Sequence, residues 1–190
     1  MVLRLESHHF SQHLHLSKVE TMIKKTAFRI TLAIALAISP IVNLLGQSNQ
    51  MIGHEHPYVF HLVQADLWHA TLAEQGSIYY PPTYDVDGFT HGTANPEKLL
   101  VVANHFYSEV RGDWLCLRMT VESLQESGVD TIFEGTAPVG DKPADFEGSD
   151  SELYPHILGG ISPSAVLAAH KVVRTEDGQF IQIEGVTDSP

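Results

Sequence analysis

An α+β domain with a largely antiparallel sheet is the fold class this sequence predicts, and three observations predict it. Two helix-like segments come early, at 65–75 and from residue 95 onward. The chain after them breaks into short runs rich in β-branched and aromatic residues, separated by Gly, Pro, Asp and Ser. No segment repeats, so stacked-repeat architectures are set aside. Helices first and strands afterwards is the signature of segregated α and β layers.

The elements follow in order. Residues 57–63 (PYVFHLV) have strand composition. Residues 65–75 follow as a helix, with Leu67, Trp68, Thr71 and Leu72 on one face and Gly76 as the stop. Tyr79, Tyr80, Pro81 and Pro82 make a stiff extended loop, and 88–92 a short strand. Asn95 can cap a second helix, Pro96 suits its first turn, and Glu97 meets the positive end of its dipole. Leu99, Val102, Ala103, Phe106 and Val110 recur at helical spacing as one apolar stripe, with Asn104 and His105 off it. Strands are expected at 114–121 and 129–133, a long surface loop at 135–153, and closing strands at 155–158, 166–173 and 180–183.

Ahead of this domain the sequence has the parts of an export signal. A basic stretch from Met22 to Arg29 precedes an apolar run, 30–45, and then Gly46 and polar residues. That order reads as a secretory signal peptide over 22–46, too short and interrupted for a comfortable membrane span. Residues 1–21 read as an extension ahead of the functional start at Met22, and 47–56 as a flexible lead-in. The expectation is a secreted or periplasmic domain, 57–190, without stable membrane association after cleavage; an uncleaved anchor is the alternative.

Composition narrows the partners. Residues 47–190 hold 6 Lys/Arg against 21 Asp/Glu, a net charge of −15. Such a surface repels phosphate backbones, so no nucleic-acid partner is expected. The single cysteine, Cys116, excludes an internal disulfide and sits in an apolar run, as a core residue would. His54 and His56 form a pair without a third ligand of matching spacing, so no metal site is expected. Composition leaves the oligomeric state open.

Four motifs carry the functional reading: YVFHLV with His61, GFTHGT with His91, IFEG with Glu134 and YPHILGG with His156. Each sets one ionisable residue at a strand or its end among apolar or small neighbours, the setting of a pocket. Gly88 and Gly92 flank His91 and are expected to leave room for a ligand against it.

In this order, with Trp68 in the first helix and Val-Ala-Asn-His-Phe-Tyr in the second, the motifs resemble the bacterial domain-of-unknown-function family 952 over roughly 57–183. Thr90, Gly92, Thr93 and Leu158 depart from the family's usual residues, and the loop before His156 is long. The resemblance implies an ADP-ribosyltransferase-like fold: a split, mostly antiparallel sheet with two N-terminal helices and a central cleft for a nicotinamide dinucleotide. By that resemblance His61 matches the residue that would hold a ribose, His91 the wall near the nicotinamide, and Glu134 a late-strand carboxylate, the catalytic candidate. His156 and Asn104 join them as ligand-binding candidates. No cofactor is required, and NAD is the candidate substrate. A carboxylate beside the ribose would stabilise the oxocarbenium character that develops as the nicotinamide bond breaks.

Three other readings compete with an ADP-ribosyltransferase or NAD glycohydrolase. One is a non-catalytic small-molecule or nucleotide binding module on the same fold. Another is an RNA phosphotransferase, which needs phosphate-gripping arginines; Arg111, Arg118 and Arg174 all lie outside the four motifs. The third is a metal-dependent hydrolase, resting on the histidines alone.

Overall fold

A computed structural model describes residues 56–188. The extension, the signal peptide and the lead-in before His56 lie outside the described residues. Within them the fold is α+β with antiparallel strand pairing throughout the named sheets. None of the described helices is long and apolar enough to cross a membrane.

Strand β1, Val59–Gln64, opens the domain. Five of its six residues are buried because both its faces are covered: Val59 and Val63 pack with Trp68, Tyr79 and Leu117, while Phe60 and Leu62 pack with Leu99, Trp114 and Phe180. Alternate residues of a strand face opposite ways, so His61 shares the Val59–Val63 side. Helix α1, Ala65–Ala73, follows directly and buries Ala65, Trp68 and Thr71. Leu72, expected on the buried face, is instead 53% exposed. A one-turn helix α2, Tyr84–Asp87, was not apparent from composition and ends at Gly88, whose φ of 79° suits glycine.

Strand β2 is only Thr90–His91. The Asn95 side chain then accepts from the Glu97 amide, as a cap should, over a 3-10 turn at Pro96–Lys98. Helix α3, Leu99–Tyr107, buries Leu99, Val102, Ala103 and Phe106, the predicted stripe. Val110, expected to continue that stripe, lies past the helix end and is exposed. The C-terminal carbonyls of α3 are met by Arg174, whose guanidinium donates to the carbonyls of Tyr107, Ser108 and Val110.

Strand β3, Trp114–Met119, stops earlier than expected. Thr120 and Ser123 exchange side-chain-to-backbone bonds in a capping box, which turns the chain into helix α4, Val121–Glu126. Strands β4 (Thr131–Glu134), β5 (Tyr154–Ile157), β6 (Ala168–Arg174) and β7 (Phe180–Ile183) complete the fold near their expected positions.

Two sheets result, ordered β1-β3-β6-β7 and β2-β5-β4. They meet where Phe60 and Thr93 exchange backbone hydrogen bonds of 2.8 and 2.9 Å. The free edge of β1 is thereby paired to the chain that follows β2. The long segment 135–153 is more than a surface loop. Val139 is 7% exposed and packs with Val102, Phe106 and Tyr154, with Phe146 against them. Cys116 is fully buried, and burial raises its thiol pKa well above the ordinary value.

Candidate functional site

The join between the sheets gathers three of the predicted site residues. In the β2–β5 ladder His91 and His156 are direct partners. Their rings stand 6.0 Å apart, edge to face. Phe89 packs beside both, stacked on His156 with centroids 4.0 Å apart and 4.5 Å from His91. From the other sheet, His61 reaches the backbone of this strand: its Nδ1 lies 2.7 Å from the carbonyl oxygen of His91. Tyr79 packs on His61 with rings 5.5 Å apart.

Each of the other two rings has a carboxylate partner. His91 Nε2 lies 3.0 Å from Oδ2 of Asp87, whose side chain is 4% exposed. The other oxygen of Asp87 accepts from the Gly140 amide at 3.1 Å, so this carboxylate ties the 135–153 segment to His91. His156 Nδ1 lies 3.2 Å from Oε2 of Glu134. Glu134 faces Tyr154 in the β4–β5 ladder and so stands diagonal to His156, within reach of a long side chain.

Two adjoining cavities border the histidines. The larger, about 200 Å³, is lined by His61, Tyr79, Pro81, Tyr107 and Trp114, among others. The smaller, about 30 Å³, is lined by Phe60, Thr93, Phe146 and His156, among others. His91, Phe106, Tyr107 and Val139 border both. A carboxylate and an ammonium, Asp141 and Lys142, also line the larger one, and Lys142 is paired with Glu109. The lining is therefore mostly aromatic and apolar with a few polar groups, as ligand pockets usually are.

Burial sets the charge state of the rings. It lowers the pKa of His61 to about 4, against the pull of the His91 carbonyl. It also lowers His91 and His156, with Asp87 and Glu134 opposing the shift. Burial raises both Tyr79 and Tyr107 above the ordinary phenol value. Of the three histidine rings, those of His61 and His156 each keep a buried Nε2 without a partner among the described residues, and the Trp114 indole nitrogen at the larger cavity is likewise unpartnered among them.

His61, His91 and His156 thus come together. Glu134 joins them from outside: its side chain is 60% exposed, it touches the row through His156, and it is not among the residues lining either cavity. Asn104 stands apart. Its amide donates to the Phe180 carbonyl at 2.9 Å and accepts from the Phe180 amide at 2.8 Å, clamping α3 to β7. Gly92 does not open space against His91, because a Cβ there would lie 2.9 Å from Pro155 Cγ and 3.2 Å from Val59 Cγ1. Its small size serves close packing, and Gly88 serves the turn after α2. Asp87, Phe89, Tyr79 and Tyr107 were not singled out from sequence. Local signals existed for three of them: the four-residue spacing of Asp87 and His91, and the places of Phe89 and Tyr107 inside the GFTHGT and Val-Ala-Asn-His-Phe-Tyr motifs. Among the described residues no three His, Cys, Asp or Glu side chains are grouped closely enough to hold a metal ion.

The fold and site define an α+β domain with a histidine-lined cavity between two antiparallel sheets. The chain belongs to the family described as protein of unknown function (DUF952), whose profile matches residues 62–169. Among solved structures it is similar to the crystal structure of protein CC0527 from Caulobacter crescentus, at 18% identity and a TM-score of 0.49, covering 65% of this chain and 93% of that one. The solution NMR structure of CC0527 matches at 18% identity and a TM-score of 0.44, covering 69% and 94%. No functionally curated protein matches the chain.

Proposed function

We propose that this is an exported small-molecule binding module on an ADP-ribosyltransferase-like split sheet, and that its cavity takes the nicotinamide end of NAD or of a related nucleotide. The observation that carries the reading is His61: a polar ring 3% exposed, bordering a cavity, with one nitrogen unpaired. Leaving a buried polar atom unsatisfied costs about 1–3 kcal/mol, and such atoms in native proteins call for a partner. A cavity of about 200 Å³ is smaller than the roughly 300–1,000 Å³ of whole-ligand pockets, so one ring-sized portion would be enclosed. The divergence of a four-stranded and a three-stranded sheet from one backbone junction supports the split-sheet reading. The acidic composition argues against nucleic acid as the partner.

Calorimetric titration of the purified full chain with NAD and with nicotinamide tests this. Saturable binding that His61→Asn weakens is expected. No heat from either compound up to about 1 mM would count against the nicotinamide reading.

A second reading is cleavage of the nicotinamide bond, and the Glu134–His156 pair favours it. That pair sets an exposed carboxylate next to the cavity row, where charge developing on a sugar outside the cavity could be met. Release of nicotinamide from NAD by the same protein distinguishes the two readings.

A further inference from the structure

The hydrogen-bond partners of the three rings dictate where their protons are. A carbonyl or carboxylate oxygen has no proton to give, so the nitrogen facing it must be the donor. His61 therefore carries its proton on Nδ1, facing the His91 carbonyl. His156 carries its proton on Nδ1, facing Glu134, and His91 on Nε2, facing Asp87. In a neutral imidazole the other nitrogen is then a lone-pair acceptor. For His61 and His156 that other nitrogen is the buried Nε2 without a partner. For His91 it is Nδ1, which makes no hydrogen bond among the described residues. All three rings thus offer acceptors and no donors, while the donors bordering the cavities that lack a partner among the described residues are the Trp114 indole N–H and the Tyr154 hydroxyl, which could meet a ligand's carbonyl oxygen.

We infer that the site selects a neutral ligand bearing its own hydrogen-bond donors, a primary carboxamide or a hydroxyl, and discriminates against the matching carboxylate. The inference deepens the binding reading above and rests on it for the ligand's place. A carboxylate would set its oxygen lone pairs against the lone pair of His61 Nε2. To accept such a ligand the ring would have to become an imidazolium in a site where it is 3% exposed. Lys142, the cation lining the larger cavity, is already engaged by Glu109. Sites built around specific buried polar partners reject a mismatched analogue far more strongly than apolar pockets do. Tyr79, Phe106 and Trp114 supply flat surfaces that suit a planar amide-bearing ring.

The test joins a direct view of the protons to a matched pair of probes. Long-range proton–nitrogen correlation spectra of the 15N-labelled full chain report which ring nitrogen is protonated. Nicotinamide and nicotinate are then titrated, because they differ only in a donor-bearing amide against a carboxylate. His61 in the Nδ1–H form, its Nε2 signal moving on nicotinamide addition, and a preference for nicotinamide of about ten-fold or more are expected. His61→Asn keeps a donor towards the His91 carbonyl and removes Nε2, so the preference should collapse while the fold remains. His61 found as Nε2–H or as imidazolium overturns the inference, as does nicotinate binding as tightly as nicotinamide. Should neither compound bind, the nicotinamide reading fails by itself. The ring signals then decide the donor-selective site, with Nδ1–H supporting it and Nε2–H ending it.

Discussion

His61 and His91 are coupled through the backbone: the carbonyl oxygen of His91 lies 2.7 Å from Nδ1 of His61, across the seam where the two sheets join. One contact therefore fixes a ring orientation and helps hold the sheets together. Changes at either histidine should be read on both stability and binding.

The first expectation concerns acid. The folded pKa of His61 is about 4, below the ordinary 6.5, so unfolding takes up protons between those values. Stability is then complete above about pH 6.5 and falls as pH drops towards 4, by up to about 3 kcal/mol. His91 and His156 shift in the same direction. Urea unfolding at about pH 7.5 and about pH 5 should show a lower midpoint in acid, and His61→Asn should flatten the difference. A pH-independent midpoint would contradict the neutral buried ring.

Asn104 gives a contrasting expectation. Both its amide atoms serve the Phe180 backbone, so Asn104→Ala strands an amide and a carbonyl at the α3–β7 contact. A loss of about 1–3 kcal/mol in denaturant unfolding is expected, with nicotinamide affinity unchanged. A stable variant with weakened binding would return Asn104 to the site.

Much of the fold was legible because its signals are local. The stripe from Leu99 to Phe106 gave α3, the Asn95 cap gave the 3-10 turn that leads into it, and β-branched runs gave β1 and β7. Helix α4 was missed because Val121 continues an apolar run, and the Thr120–Ser123 capping box outweighs that run. The histidines were legible as polar residues in apolar strands. Their partners were less so: Phe89 reaches His156, and Tyr79 reaches His61, only through sheet pairing and packing. The Asn104 clamp was not legible, because a side chain off an apolar stripe looks free until the strand it holds, 76 residues later, is in place.

Gly92 tests the junction itself. A Cβ at this position would crowd Pro155 Cγ at 2.9 Å, the Pro155 carbonyl oxygen at 3.0 Å and Val59 Cγ1 at 3.2 Å. Two of these three atoms belong to a strand backbone or a proline ring, which yield little. Gly92→Ala should cost about 1–3 kcal/mol, seen as a lower urea midpoint. A neutral substitution would show that the sheets separate easily here.

Glu134→Gln decides between binding and cleavage. The amide oxygen of glutamine can still accept from His156 Nδ1, and the residue is 60% exposed, so stability should change little. What the substitution removes is charge. If the domain cleaves NAD with Glu134 stabilising the developing cation, nicotinamide release should fall about 100-fold, roughly 2.7 kcal/mol, with NAD affinity nearly unchanged. Release at the wild-type rate would leave an active protein and remove Glu134 from its chemistry. No release from the wild-type chain, alongside saturable NAD binding, would establish the binding module. Glu134 would then act through His156, holding that ring in the Nδ1–H form, and the correlation spectrum of Glu134→Gln should still show it there. Glu134→Leu takes the acceptor away, and a change in the His156 ring signals is expected in that variant alone.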